Sequence, residues 1–255
     1  MMIVNGESFA LEATRFFEGF SDTLSMNLNF RQRYDIWRYY KAFCGKMIIF
    51  AAEMTTAHIF AVSRHRLMTD DEGVTTLVTF NGCPLRCKYC LNKISWDAEK
   101  GKQYTPEELY EEVKIDQLYF LATRGGVTFG GGEPLLQVEF LKEFRALCGP
   151  QWSIVVETSL NVPQENVMAV NEVVDAYIID IKDTNPEIYQ EYTGIENAIA
   201  ISNLEWLLQH RDPKQITVRV PHIPEFNTDA DVQHSIASLK AMGVTEIDEF
   251  NYIIR

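Results

Sequence analysis

The sequence predicts an α/β fold in which six parallel strands, each followed by helical segments, form an open, partial (β/α)6 barrel. From residue 74 onward, short apolar runs alternate with amphipathic stretches, the pattern of βα units on a parallel sheet. Six units fit into about 180 residues, at the ~30 residues per unit expected of βαβ repeats. A closed barrel of eight units typically needs ~250 residues. We therefore expect a partial barrel rather than a closed one.

Each expected element has local signals for its start or its end. The expected strands are 74–80, 126–129, 153–156, 176–181, 216–220 and 247–254. The first helix begins at Thr105, which forms a capping box with Glu108, and a proline stands at the first helical position. It carries Leu109, Val113 and Leu118 on roughly one face. The later helices are expected over 135–148, from about residue 163, and over about 229–242. Helical segments are also expected between the fourth strand and about residue 209.

The N-terminal part of the chain has a different character. Residues 1–60 contain twelve aromatic residues and show no clear strand pattern. We therefore divide the chain into an N-terminal aromatic-rich extension, residues 1–62, and a core domain, residues 63–255. The extension is either a docking or dimerisation appendage, or the product of a translation start placed upstream of a native start at Met47 or Met54.

Composition excludes several classes of function. The net charge of -13 argues against a protein that tracks nucleic-acid phosphates, which would be basic. No stretch approaches the ~20 apolar residues of a membrane span, and no basic region followed by an apolar core marks a secretory signal. Five cysteines, three of them in one motif, do not make a disulfide framework. A reducing cytoplasm is therefore the expected location.

Three closely spaced cysteines are the most informative motif. Cys83, Cys87 and Cys90 follow the first strand with the spacing Cys-x3-Cys-x2-Cys. Three thiolates can hold three irons of a four-iron cluster and leave the fourth iron open to a ligand. Ferredoxin clusters use four cysteines, and structural zinc sites close their tetrahedron with a fourth ligand. The alternative is a set of buried or zinc-binding cysteines.

Polar or glycine residues follow each of the first five expected strands. Because the C-terminal ends of parallel strands share one rim, where chemistry collects, these residues should lie together. They are the cysteine loop, residues 130–134, Glu157 with Thr158, Asp180 with Lys182, and Arg219. Asp180 and Lys182 alternate with Ile181, so that both can point to one side of the sheet. In isolation such a pair is more often a buried ion pair or a solvated edge.

Several segments together resemble the glycyl-radical-enzyme activating enzymes of the radical S-adenosylmethionine (SAM) family. The resemblance covers about residue 63 to the end of the chain. The similar segments are RCKYCLN at 86–92, GGVTFGGGEPLLQ at 125–137, ET at 157–158, DIK at 180–182, YTG at 192–194 and RVPHIP at 219–224.

The resemblance implies one [4Fe-4S] cluster ligated by Cys83, Cys87 and Cys90, and one molecule of SAM. It places Tyr89 near the adenine of SAM and Gly131, Gly132 and Glu133 at its amino group. It places Glu157 and Thr158 at the carboxylate of SAM, and Asp180 and Lys182 near its ribose and carboxylate. Arg219 would face the cofactor. A Cβ at Gly132 would block the approach of SAM to the backbone. No catalytic group beyond the cluster ligands is expected.

The implied activity is reductive cleavage of SAM to a 5′-deoxyadenosyl radical. The implied partners are a glycyl radical enzyme as protein substrate and a flavodoxin- or ferredoxin-type electron donor. One alternative is a radical SAM enzyme that acts on a small molecule or a peptide. Another is a noncatalytic iron–sulfur or zinc protein, which would not need the strand-end residues.

The chain departs from the family pattern at three places. Gly130 stands where relatives usually have serine, and Leu91 where they often have histidine. Residues 251–253, Asn-Tyr-Ile, stand where relatives tend to have a Pro-Tyr-His segment that contacts adenine. The adenine contact from the last strand is therefore in doubt.

Overall fold

The computed structural model describes residues 55–67 and 73–252, which form one α/β unit built on a single eight-stranded sheet. The strands are β1 (Ala57–Leu67), β2 (Val74–Phe80), β3 (Lys102–Tyr104), β4 (Gly126–Gly131), β5 (Ser153–Thr158), β6 (Ala176–Asp180), β7 (Ile216–His222) and β8 (Glu246–Asn251). Their order is β3-β1-β2-β4-β5-β6-β7-β8. The pairs from β2 through β8 are parallel, so the six expected strands form the open, partial barrel sheet.

The helices connect successive parallel strands, as the βα pattern predicts. They are α1 (Pro106–Val113), α2 (Gln117–Thr123), α3 (Val138–Cys148), α4 (Gln164–Val170), α5 (Pro186–Thr193), α6 (Ala198–His210) and α7 (Asp229–Met242). The capping box of α1 is present: Thr105 Oγ1 accepts from the Glu108 amide at 3.2 Å, and Glu108 returns a bond to the Thr105 amide. No helix among the described residues combines the length and apolar character needed to cross a membrane.

The central strands are buried on both faces, which explains why they are almost continuously apolar in sequence. Phe80 of β2 stacks on Phe129 of β4 with ring centroids 5.4 Å apart, and Phe129 meets the edge of Phe144 from α3 at 5.2 Å. All three rings are fully buried. This packing fixes the strands whose C-terminal ends carry the site.

The structure departs from the sequence prediction at the sheet edge and in the first helix. Strand β1, which lies between β2 and the edge strand β3, runs antiparallel to both and spans the predicted boundary between residues 62 and 63. Residues 1–54 and 253–255 lie outside the described residues. The helical run is broken at residues 114–116, so Leu118 lies on the separate helix α2 and is 80% exposed. The prediction that Leu118 shares one face of the first helix with Leu109 and Val113 is wrong.

Candidate active site

The cysteine loop begins at the end of β2 and is closed on itself by hydrogen bonds. Asn81 is buried, and its side-chain amide donates to the carbonyls of Ile94 (3.1 Å) and Asp97 (3.0 Å). The Gly82 amide donates to the carbonyl of Ser95 at 2.7 Å. Residues 81–97 therefore form a closed loop, whose two ends are held together independently of anything the cysteines bind.

The three thiols lie in an apolar, aromatic pocket. Cys87 is buried, and Cys83 and Cys90 are half-buried. The pocket is built by Leu85, Tyr189, Tyr192 and Ile223, with Tyr89, Ile195, Phe226 and Tyr252 packed against it. Burial raises the pKa of Cys83 to about 12 and that of Cys87 to about 11, although the positive charge of Lys182 opposes the shift at Cys87.

This donor set fits an iron–sulfur cluster. Neutral thiols tolerate an apolar pocket, whereas thiolates there need a cation, and coordination by a metal deprotonates a thiol outright. The three cysteines share one loop and one pocket. Within residues 55–67 and 73–252, no three His, Cys, Asp or Glu side chains converge as the ligands of a single metal ion would.

The glycine segment that ends β4 packs directly against the cysteine loop. Gly131 has φ +87°, and a Cβ there would lie 2.6 Å from Thr79 Cβ. A Cβ on Gly132 would lie 2.3 Å from the Gly82 carbonyl oxygen. The amides of Gly132 and Glu133 donate to the carbonyls of Phe80 (2.9 Å) and Gly82 (2.8 Å). A side chain at these positions is therefore already excluded by the protein's own atoms beside them, before any approach of a cofactor is considered.

Glu133 and Thr158 point into the protein and bind each other. The Glu133 carboxylate is buried and accepts from Thr158 Oγ1 (2.6 Å), the Ser159 amide (2.9 Å), Ser159 Oγ (2.7 Å) and the Leu135 amide (3.2 Å). Burial raises the pKa of Glu133, and these donors oppose the rise. The two side chains therefore tie the end of β4 to the end of β5, and Ser159 is a member of this contact that the sequence did not single out.

Three charged residues on β5, β6 and β7, together with Lys182 two positions after β6, form one chain of ion pairs, here called the strand-end network. Asp180 accepts from Lys182 Nζ at 2.9 Å and from Arg219 Nε at 2.6 Å. Arg219 also contacts Glu157 Oε1 at 3.3 Å. The pairing of Asp180 with Lys182 confirms that both lie on one side, while Ile181 is buried in the core.

The network sets the protonation of its members. Burial alone would raise the pKa of Asp180, but the charges of Lys182 and then of Arg219 lower it to about 2. Burial opposes the charged forms of Lys182 and Arg219, yet the pKa of each is raised because Asp180 lies beside it. Asp180, Lys182 and Arg219 are thus held in their charged forms beside the cysteine pocket.

The departure at Gly130 has a local cause. A Cβ on Gly130 would lie 2.9 Å from Glu157 Oε2 and 3.2 Å from Glu157 Cβ. The glutamate of β5 therefore occupies the space that a side chain on β4 would need. Glycine at 130 and glutamate at 157 fit each other.

Aromatic side chains join the cysteine pocket to the strand-end network. Tyr89, between two of the cysteines, donates to Glu225 at 2.8 Å and packs edge-on against Phe226, with ring centroids 5.7 Å apart. Tyr252, directly after β8, packs against Tyr192 at 6.1 Å, and its hydroxyl lies 3.5 Å from Lys182 Nζ. The last strand therefore delivers an aromatic residue to the site, which the sequence had left in doubt.

The structure places the predicted site residues at the C-terminal ends of the parallel strands, in three groups. The first is the cysteine loop with Tyr89, Gly131 and Gly132, and the second is the strand-end network. The third is Glu133 with Thr158, whose side chains bond to each other inside the protein. Lys182 and Cys87 are close enough for the charge of one to influence the pKa of the other. Sequence reasoning gave no site role to Asn81, Ser159 or Tyr192, although each stands in or next to a motif, where a polar residue is a signal of a buried hydrogen-bonding group.

Comparison with known proteins agrees with this arrangement. The family model described as "Radical SAM superfamily" matches residues 77–239. Pyruvate formate-lyase 1-activating enzyme of Escherichia coli K12 is 31% identical over 181 residues, covering 69% of this chain and 73% of the relative. Choline trimethylamine-lyase activating enzyme of Oleidesulfovibrio alaskensis is 28% identical over 235 residues, covering 69% and 75%.

Solved structures confirm the fold. Streptococcus suis SuiB bound to S-adenosylmethionine superimposes with a TM-score of 0.55 at 10% identity, covering 68% of this chain and 39% of that one. At this identity the likeness concerns the fold alone. The family match over residues 77–239 and the 31% identity to an activating enzyme go further. This chain belongs to the radical SAM superfamily and, within it, to the family of the pyruvate formate-lyase activating enzymes.

Proposed function

We propose that this protein cleaves SAM reductively with one [4Fe-4S] cluster and thereby generates a glycyl radical on a partner enzyme. The relatives named above are activating enzymes of pyruvate formate-lyase and choline trimethylamine-lyase, and a third activates (2S)-3-sulfopropanediol dehydratase in Klebsiella oxytoca, with 40% identity over 130 residues. The observation that carries the proposal is the meeting of the cysteine pocket and the strand-end network at one rim, where Tyr252 contacts both Tyr192 of the pocket and Lys182 of the network.

Cys83, Cys87 and Cys90 would hold the cluster. When bound, the cluster supplies the single electron that breaks the C5′–S bond of SAM, which no amino-acid side chain can supply. The chain's own contribution is the closed loop held by Asn81, the pocket that limits access of water, and the charges that meet the cofactor.

The strand-end network suits the amino acid end and the ribose of SAM. Lys182 provides a compact positive charge for a carboxylate, and Asp180 provides acceptors for hydroxyl groups. At the end of β4, the amides of Gly132 and Glu133 are already bonded within the protein. The backbone there therefore offers carbonyl oxygens, which are the acceptors that the ammonium group of SAM needs.

Two partners follow from this activity. The protein substrate is a glycyl radical enzyme, whose glycine must reach the rim where Lys182 and Arg219 lie. The electron donor is a flavodoxin- or ferredoxin-type protein. We place the reaction in the cytoplasm, where thiols stay reduced.

The test is anaerobic reconstitution followed by two assays. We expect about four irons per chain, formation of 5′-deoxyadenosine from SAM under strong reductant, and a glycyl radical signal by electron paramagnetic resonance when a glycyl radical enzyme encoded beside this gene is added. Stoichiometric zinc without 5′-deoxyadenosine would contradict the whole proposal. Cleavage of SAM without a radical on any glycyl radical enzyme would instead favour a small-molecule or peptide substrate.

A further inference from the structure

The segment that carries the cysteines has the opposite charge from the rest of the chain. Residues 83–102 contain five basic and two acidic residues, a net charge of +3, in a chain whose net charge is -13. A local patch of one sign on a protein of the other sign marks a surface that can steer an oppositely charged partner.

The structure brings two of the basic side chains together on the outside of the cysteine loop. Arg86 lies over the ring of Trp96 with Cζ 5.5 Å from the centroid, and Lys93 lies over the same ring with Nζ at 5.9 Å. Arg86 also donates to the Cys83 carbonyl at 2.6 Å. Lys88, Arg86 and Lys93 are all exposed. The positive surface is therefore continuous with the backbone of the first cysteine.

Exposed apolar side chains lie within the same segment. Leu91, directly after Cys90, is 70% exposed, and Ile94 is 46% exposed. Apolar residues surrounded by charged ones are the usual composition of a protein interface, with a hydrophobic centre and a polar rim. We call Arg86, Lys88, Leu91, Lys93 and Ile94 the loop patch.

We propose that the loop patch is the docking surface for an acidic one-electron carrier protein. The inference rests on the proposed function, because it assumes that the loop holds a redox centre. One electron leaves the carrier and enters the iron–sulfur centre, with no bond made or broken at the surface. The loop patch is the protein surface next to the cysteines, whereas the hydrogen-donor substrate must reach the strand-end network. Positive charge there complements an acidic carrier and speeds its encounter.

The experiment compares two charge reversals of equal chemistry. Lys88→Glu/Lys93→Glu changes the charge of the loop patch. The hydrogen bond from Lys88 to Tyr192 is made by the backbone amide, which the substitution keeps, and the Lys93 side chain contributes a cation–π contact with Trp96. Lys214→Glu/Lys240→Glu is the matched control: both lysines are exposed, Lys214 directly before β7 and Lys240 in the last turn of α7 before β8, at the end of the sheet opposite the site. The probe is oxidised flavodoxin, and the measurement is its Kd by titration calorimetry at low and at high salt.

We expect the double variant to weaken flavodoxin binding at low salt by about fivefold or more, and the control to leave it unchanged. The Kd of the unaltered protein should rise with ionic strength, because exposed charges are screened. SAM cleavage driven by dithionite, a small reductant that needs no docking, should be the same in all three proteins. An unchanged Kd in the double variant would overturn the docking surface while leaving the proposed function intact.

Two further outcomes would assign the loop patch a role other than docking of the electron carrier. Loss of dithionite-driven cleavage in the double variant would mean that the lysines serve the cysteine loop itself, and would overturn the docking role. Leu91→Asp is an independent variant of the loop patch, and it should weaken flavodoxin binding without altering iron content; unchanged binding would also contradict the docking role. Weaker binding of the glycyl radical enzyme with unaltered binding of flavodoxin would assign the loop patch to the other partner and also overturn the proposal.

Discussion

The cysteine loop and the strand-end network lie at the same rim but satisfy their polar groups in different ways. The thiols of Cys83 and Cys87 are surrounded by apolar and aromatic side chains, and burial raises the pKa of both. In the network, Asp180, Lys182 and Arg219 each have an oppositely charged neighbour within 3.3 Å. The thiols of the first region are neutral until a metal centre binds, whereas the charges of the second region already neutralise each other.

This difference indicates how each region would respond to its ligand. Binding of a cluster adds cationic iron to a pocket without a fixed charge of its own. Binding of SAM must instead replace a contact within a network that is already complete, so part of the binding free energy is spent on separating existing pairs. Substitutions in the first region should therefore abolish binding, and those in the second should weaken it in steps.

The largest effect is expected in the cysteine loop. Cys87→Ala should abolish iron uptake and SAM cleavage, because one iron loses its ligand in a pocket that offers no replacement. The measurement is iron content after anaerobic reconstitution. Cys148→Ala is the control, since this half-buried thiol lies at the end of α3 and should leave iron content unchanged. Full iron content in Cys87→Ala would remove this cysteine from the ligand set.

A smaller but still large effect is expected at Lys182. Its side chain is 7% exposed, and Lys182→Met leaves Asp180 with Arg219 as its remaining partner. The free energy of unfolding should fall by about 3 kcal/mol, as when one member of a buried pair is removed. Chemical denaturation of the cluster-free protein measures it.

The double variant Asp180→Asn/Lys182→Met provides the control for Lys182. It should recover most of the lost stability, because the partly buried carboxylate that lost its lysine is removed, while Arg219 keeps Glu157. SAM binding, measured by calorimetry on the reconstituted protein, should stay weak in both variants at normal iron content. Tight SAM binding by Lys182→Met would show that this lysine is structural only.

The glycine segment joins the two regions, and Gly132 tests that junction. A Cβ there meets the Gly82 and Phe80 carbonyls at 2.3 and 2.8 Å, so Gly132→Val should displace the cysteine loop and cost about 3 kcal/mol of stability. We expect iron content and SAM binding to fall together. Gly149→Ala, where φ is +67° but no atom lies within 4 Å, measures the cost of backbone strain alone. Normal iron content in Gly132→Val would restore the view that this glycine serves only the approach of SAM.

The pH dependence of stability should report on the network. The pKa of Asp180 is lowered from 3.8 to about 2, so its contribution is complete above pH 4 and is lost as the pH falls toward 2. The loss should amount to about 2 kcal/mol. Glu133 acts in the opposite sense, because its raised pKa favours the folded state at low pH.

Urea unfolding between pH 5 and 2.5 separates these contributions. In Asp180→Asn the decline in stability over this range should be shallower than in the unaltered protein. An identical slope would mean that other carboxylates dominate the loss of stability at low pH. Since Glu133 is unchanged in both proteins, its opposing contribution cancels in the comparison.

The sequence predicted the six parallel strands and the rim they share because hydrophobic periodicity and strand-end polarity are local signals. It missed β1, whose alternation is interrupted between Ser63 and Arg66, where the register with β2 shifts and His65 has φ +58°. It also missed β3, a strand of three residues that exists only because β1 is there to pair with it. Both misses come from pairing between distant segments, which no local pattern encodes.

Within the site, motifs located residues but not the direction of their side chains. Glu133 and Thr158 were expected at the cofactor, yet their side chains bond to each other inside the protein. Asp180 and Lys182 were correctly expected to share one side, because alternation in a strand determines it. Direction that follows from strand period was therefore predictable, and direction chosen by hydrogen-bond partners across strands was not.

The smallest effects are expected at Tyr252, which touches both regions. Its hydroxyl lies 3.5 Å from Lys182 Nζ, the outer limit of a hydrogen bond, so Tyr252→Phe should change stability by less than about 0.5 kcal/mol. Its ring lies 6.1 Å from Tyr192 in the cysteine pocket and 5.6 Å from Lys182 Nζ, so Tyr252→Leu should cost about 1 kcal/mol. Phe250→Leu, which removes a ring beside Tyr252 at 5.8 Å, serves as the matched control. If Tyr252→Leu weakens SAM binding more than Phe250→Leu at equal stability, the last strand contributes to the cofactor site through this ring. Equal effects of the two variants would confine Tyr252 to packing, with no part in the cofactor site.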